Sequence, residues 1–132
     1  MSYLEHLSTE RAHKICQEVS RLLKKQRLYR DPDITAIKIA EIVGESASTI
    51  SAAIAQETGE NFLALLARIR VNAACRMLRS PLYNDRPLSL VAVRAGFAAR
   101  QTFHRTFTRI MGSTPNQYRE QHKPENLSNQ RP

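Results

Sequence analysis

The sequence predicts an all-α chain: two pairs of short helices joined by one long helix, with a further helix ahead of them. Three observations carry this expectation. Apolar residues recur at spacings of three and four, and no alternating strand pattern runs longer than a few residues. Gly44, Gly59, Gly96, Ser80-Pro81 and Asp31-Pro32-Asp33 punctuate the helical runs. From Phe62 to Met77 one apolar stripe continues without a breaker, long enough for a connecting helix.

The elements follow in order. Ile15, Val19, Leu22 and Leu23 form a helical stripe near the N-terminus, backed by Arg21, Lys24, Lys25 and Arg27; Asp31-Pro32-Asp33 is expected to break that helix. Ala36 to Val43 read as a short helix with Ile37, Ile39, Ala40 and Val43 partly buried, ended by Gly44. Ser46 is suited to cap a helix running to about Thr58, closed by Gly59. Asn61 is placed to cap the long helix, Phe62 to Arg79, with Phe62, Leu65, Leu66, Ile69, Ala73 and Met77 inward. Leu82 to Pro87 form a loop. Leu90 to Ala95 make a short apolar helix, Gly96 supplies a tight turn, and Phe97 plugs the core. Arg100 to Ile110 make the next helix, with Phe103 and Phe107 at i and i+4 on its buried face. Thr114-Pro115 is an N-cap followed by proline at the first helical position, opening a last helix through Tyr118. The organisation is therefore a helix and linker over 1–32, a first helix pair over 33–60, a linker helix over 61–80, a second pair over 81–123 and a flexible tail over 124–132.

Composition narrows the function. The chain has 132 residues, a formal charge of +8 and a pI near 10.1, which suit a polyanionic partner. The charge is uneven: residues 31–60 hold one basic and six acidic side chains, whereas 61–95 hold six basic and one acidic. The two cysteines are too far apart in sequence for a metal-site spacing. His13 and Cys16, one helical turn apart, make at most half a metal site. No apolar run approaches a membrane span and no leader pattern opens the chain. No Ser/His/Asp, paired-carboxylate or glycine-rich phosphate motif stands out, so the expectation is a non-enzyme without cofactor or metal.

Two helices joined by a short glycine turn, the second studded with polar and basic groups, have the geometry of a DNA-reading helix-turn-helix. Gly96-Phe97, Phe103, Phe107, Gly112, Thr114-Pro115 and Tyr118-Arg119 together resemble the signature of AraC/XylS-type bacterial transcription regulators. A first, weaker copy rests on Ile39-Ala40, Gly44, Ser46, Ile50, Gly59, Phe62, Arg70 and Ala74, so the resemblance covers roughly Asp33 to Arg119. It implies two homeodomain-like lobes joined by a linker helix, with the N-terminal helix as an addition. It also implies a loop at Leu82 to Pro87 about two residues longer than usual, an inexpensive change.

The resemblance places base-contact positions on Arg100, Gln101, His104 and Arg105 of the second recognition helix. Arginine suits guanine O6 and N7, and glutamine suits adenine N6 and N7. In the first recognition helix the corresponding positions are Ser48, Thr49, Ser51 and Ala52, none of them basic. Gln56, Arg68, Arg76, Arg109, Thr114, Asn116 and Arg119 are the phosphate-contact candidates, and Arg70 matches an arginine whose family role is to tie the lobes together. The acidity of the first lobe leads to an asymmetric reader, in which the second lobe anchors and specifies while the first docks loosely.

The functional expectation is a sequence-specific, cytoplasmic, bacterial transcription regulator that binds double-stranded DNA and, as the resemblance implies, activates by engaging RNA polymerase. A monomeric DNA-binding unit without a small-molecule ligand is expected. The chain reads either as a stand-alone protein like the small MarA/SoxS-type activators or as the C-terminal part of a longer regulator; Met1 weighs weakly for the first. The alternative is a protein-binding adaptor or anti-regulator that docks on another transcription factor or RNA polymerase and binds DNA only weakly; Glu41, Glu45, Glu57 and Glu60 are the acids that could face a basic patch on RNA polymerase or another regulator.

Overall fold

The structure, a computed structural model, describes residues 7–123. The tail expected at 124–132 lies outside the described residues, as do residues 1–6. The chain is all-helical: α1 (Thr9–Lys24), α2 (Ala36–Val43), α3 (Ala47–Thr58), α4 (Phe62–Arg79), α5 (Leu88–Arg94), α6 (Arg100–Met111) and α7 (Pro115–Gln121), with no strand among the described residues. It divides into two compact units between Leu66 and Ala67.

The first unit comprises α1, α2, α3 and the start of α4. Side-chain caps set its helix starts: Ser8 accepts from Arg11 N, Thr35 from Lys38 N and Ser46 from Thr49 N. Asn61 Oδ1 accepts from Ala64 N at 2.8 Å and opens α4 as expected. Gly44 ends α2 in the left-handed region at φ 85°, a conformation a side chain would strain. α1 packs on both α2 and α3 and belongs to this unit. Ala12, Ile15, Cys16, Val19, Leu22 and Leu23 are its buried face.

Two details differ from expectation. α1 ends at Lys24, well before Asp31-Pro32-Asp33. The apolar stripe stops at Leu23 because the next inward positions are Gln26 and Arg27. Arg27 takes a left-handed turn at φ 59°, and a short 3-10 turn, Leu28–Arg30, then buries Tyr29. Ile37 was expected to be partly buried, yet it is 63% exposed. α2 turns Ile39 and Ala40 inward, and Ile37 lies about a third of a turn off that side.

The second unit is built around Val71, Ala74, Cys75 and Leu78 of α4, Val91 and Ala92 of α5, Phe97, Phe103 and Phe107, and Tyr118 of α7. Aromatic rings run through it in sequence: Phe97 to Phe103 at 5.2 Å, Phe103 to Phe107 at 5.8 Å and Phe107 to Tyr118 at 5.6 Å between centroids. Their tilted and edge-on geometry favours the ring quadrupoles as well as burial. Phe103 and Phe107 are therefore core, as their spacing predicted. α4 has a buried stripe that the sequence reading missed: Val71, Ala74, Cys75 and Leu78 recur at i, i+3, i+4 and i+7, on the side of the helix opposite Phe62, Leu65, Leu66 and Ile69. Met77 packs only partly against this core. Gly96 makes the predicted turn at φ 96°. α5 begins at Leu88, two residues earlier than expected, and α7 extends to Gln121.

Candidate nucleic-acid interface

α6 fully buries Phe103 and Phe107, packs Ile110 partly against the same core, and turns a broad arc outward. Arg100, Gln101, Thr102, His104, Arg105 and Arg109 are exposed, with Thr106 and Thr108 half-buried. At 3.6 residues per turn, Gln101 and Arg105 lie opposite the buried phenylalanines. Arg100 and His104 lie to one side of them and line a groove with Pro87, Leu88, Ser89, Asn116 and Arg119. The structure thus brings four predicted contact residues, Arg100, His104, Asn116 and Arg119, to one groove of the second unit. Thr102 is exposed on the other flank, beside Arg109, and sequence reasoning passed over it.

Two phosphate candidates of this unit have other work. Arg119 Nη1 donates to the carbonyl of Tyr83 at 3.3 Å and to that of Arg86, so Arg119 braces the loop before α5 against α7. Thr114 forms a reciprocal capping box with Gln117: its hydroxyl accepts from Gln117 N at 3.1 Å, and its own N–H donates to Gln117 Oε1 at 2.9 Å. Both side chains thus support local structure, while Asn116 is exposed at that helix start. Arg94 is braced in turn: it donates to the Tyr83 hydroxyl at 2.9 Å and lies over that ring. The guanidinium of Arg70 lies 5.9 Å from the Phe97 ring, within the second unit. Arg76 is exposed on α4 and Arg68 half-buried.

Behind this surface, Arg79 donates to the Tyr118 hydroxyl. Burial raises the Tyr118 pKa, with the hydrogen bond from Arg79 opposing it. Burial also raises the Cys75 thiol, with its hydrogen bond to Tyr118 and the charges of Arg79 and Arg76 opposing. Neither group is a reactive acid or nucleophile at neutral pH.

The first unit presents a different face. Ser48 and Ser51 are exposed on α3 and Ala52 is half-buried beside them. Ala55, one turn beyond Ser51, completes this outward arc and was not anticipated. Thr49 is corrected: it is 4% exposed, and its hydroxyl accepts from Ser46 Oγ at 2.9 Å, so it belongs to the helix start and core. Its position one residue after Ser48 turns it toward the buried side of α3, where Ile50, Ala53 and Ile54 also point. Gln56 is exposed, and its Nε2 donates to the carbonyl of Leu7 at 2.8 Å.

The acids of this unit are largely held within it. Glu45 accepts from Arg11 at 2.8 Å, and Glu57 lies 2.6 Å from His13 Nδ1. His13 and Cys16, the half metal site of the sequence, both serve the contact with α3: the Cys16 thiol donates to Ala53 O at 3.2 Å. Burial raises the Cys16 pKa, and the charge of Glu57 adds to the rise. Among the described residues no group of three or more His, Cys, Asp or Glu side chains could hold a metal ion. No helix among them is long and apolar enough to cross a membrane.

Comparison with known proteins agrees with this geometry. A helix-turn-helix domain family matches residues 39–121. An HTH-type transcriptional regulator of Staphylococcus aureus is 28% identical over 113 residues, which is 86% of this chain and 14% of that protein. The RCS-specific HTH-type transcriptional activator RclR of Escherichia coli is 29% identical over 86 residues, 65% of this chain and 29% of RclR. The chain thus spans a minor part of the length of these relatives. The C-terminal domain of AraT, a response regulator from Geobacillus stearothermophilus, superposes with a TM-score of 0.68 at 30% identity, covering 83% of each chain. A helix pair on a glycine turn, the basic outward arc of α6 and a family match over most of the described residues lead to one assignment: the chain belongs to the AraC-type helix-turn-helix family of bacterial DNA-binding transcription regulators.

Proposed function

We propose that this protein is a sequence-specific regulator whose second unit dominates DNA recognition. α6 and α3 enter successive major-groove segments about one turn, ~34 Å, apart on the duplex. Arg100, Gln101, His104 and Arg105 read bases from α6. Ser48, Ser51 and Ala52 meet the groove from α3 with little discrimination, since short hydroxyls and a methyl carry few donor patterns. Arg68, Arg76, Arg109 and Asn116 engage phosphates and set the register.

The observation that carries this reading is the contrast between the outward faces of the two helices. α6 exposes three arginines, a glutamine and a histidine, whereas the exposed residues of α3 before Gln56 are Ser48, Ser51 and Ala55. The same contrast extends to whole units. Residues 7–66 hold eight basic and eight acidic side chains, and residues 67–123 hold eleven and two. Phosphate attraction is therefore concentrated in the second unit.

The regulator acts in the cytoplasm on promoter-proximal sites and activates by positioning RNA polymerase; the activator RclR supports this direction of control. The DNA-binding unit works as a monomer. Selection of preferred duplexes from a random library at near-physiological salt tests the reading. A strong half-site flanked, one turn away, by a weakly specified one supports it. Absence of any enriched sequence overturns it and favours a protein-binding adaptor.

A further inference from the structure

α1 is tied to the first reading helix by charge as well as by packing. Glu45 immediately precedes Ser46, the N-cap of α3, and Glu57 lies in its last turn. These are the acids closest in sequence to the outward arc of α3, because residues 47–56 contain no charged side chain. Both are met from α1. Arg11 Nη2 donates to Glu45 Oε1 at 2.8 Å, and His13 Nδ1 lies 2.6 Å from Glu57 Oε1. Within the described first unit, residues 7–30 bring seven basic and two acidic side chains to a remainder that has one basic and six acidic. α1 and the turn after it thus convert an acidic helix pair into an electrically neutral unit.

The two links are not equivalent for DNA. The opening residues of a recognition helix are those that approach base edges, so Glu45 is placed where phosphates pass and Glu57 is placed at the far end. Exposed pairs of this kind add little to folding stability. Arg11 and Glu45 are 51% and 27% exposed, so the guanidinium stays partly open to solvent while covering the carboxylate. Its charge is permanent.

We propose that Arg11 is a determinant of DNA affinity, acting by neutralising Glu45 beside the N-terminus of α3. The proposal rests on the reading that the first unit docks on the duplex. It makes α1 part of the DNA-binding apparatus through electrostatics, with no base contact of its own.

A charge-rescue cycle separates this from a mechanical clamp. Arg11→Ala, Glu45→Gln and the double variant are compared with the wild type for binding to its selected duplex, with thermal melting in parallel. Arg11→Ala weakens binding by about threefold to tenfold, a partly screened charge effect. Glu45→Gln, which breaks the ion pair but keeps Arg11, binds as tightly as the wild type or more so. The double variant recovers to within about twofold of the wild type, because the two sites are coupled through charge. If Glu45→Gln weakens binding as much as Arg11→Ala does, and the double variant recovers nothing, the link is a clamp and the proposal fails. A wild type that binds no duplex specifically overturns the functional reading and this proposal together; a binding wild type without charge rescue overturns the proposal alone. Glu45→Gln keeps the Arg11 stem, so a loss of affinity in this variant overturns the proposal even if Arg11→Ala proves unstable.

Discussion

α3 and α6 are both 12-residue helices, and both are closed by a left-handed glycine, Gly59 at φ 75° and Gly112 at φ 76°. Each is preceded by a shorter helix, α2 or α5, that buries one side. Their outward chemistry nevertheless differs. α3 shows hydroxyls and methyls, while α6 shows guanidinium, amide and imidazole groups. Their cores differ too. The first is largely aliphatic, with Val19, Leu23, Ile39, Ile50 and Ile54 fully or almost fully buried, and the second is organised around Phe97, Phe103, Phe107 and Tyr118. The comparison teaches that the scaffold and the reading surface are specified by separate sets of positions. Caps, glycines and inward residues repeat the architecture, and the exposed arc is free to vary without touching it.

This separation can be attacked from both sides. The largest effect is expected for Phe107→Ala, which removes a fully buried ring from the middle of the aromatic series. It should cost about 3–5 kcal/mol in chemical denaturation and abolish binding through unfolding. The opposite experiment is Ala52→Arg, which gives α3 the kind of group α6 already has. It should leave the melting temperature nearly unchanged and sharpen selection in the weak half-site by about 1–3 kcal/mol. Failure of Ala52→Arg to alter the preferred duplex sinks the view that the α3 arc faces the groove. Ser46→Ala removes the side-chain cap from Thr49 N and should destabilise the first unit by about 1 kcal/mol, read from urea unfolding. The smallest change is expected for Arg109→Gln on the flank of α6. Affinity should fall similarly for all sequences, and the salt slope should shrink by about one phosphate contact, with the preferred sequence unaltered.

Much of this architecture is legible from local chemistry. Ser46, Asn61 and Thr114 cap helices because a short polar side chain can reach an N–H three residues on, and Gly44 and Gly96 turn because they lack a Cβ. The inward stripe of α1 and the Phe103–Phe107 pair follow from helical spacing alone. What escaped the sequence depends on partners distant along the chain. Arg119 looks like a free cation until the carbonyls of Tyr83 and Arg86 come beneath it. Gln56 is claimed by Leu7, 49 residues away. Thr49 carries a polar label, yet it is buried because its hydroxyl is satisfied by Ser46. The second stripe of α4 was present in the sequence at regular spacing, masked by the more hydrophobic stripe on the opposite side. Charge runs misled for a similar reason: the acidic window at 31–60 does not make an acidic unit once α1 is packed against it.

The most direct test of the central claim is a side-by-side titration of Arg105→Ala and Ser51→Ala on the selected duplex at fixed salt. An asymmetric reader loses about 1–3 kcal/mol of binding from Arg105→Ala, with relaxed specificity at one position, and at most a few tenths from Ser51→Ala. Equal losses from the two substitutions would contradict the account, because both units would then read the sequence with comparable strength.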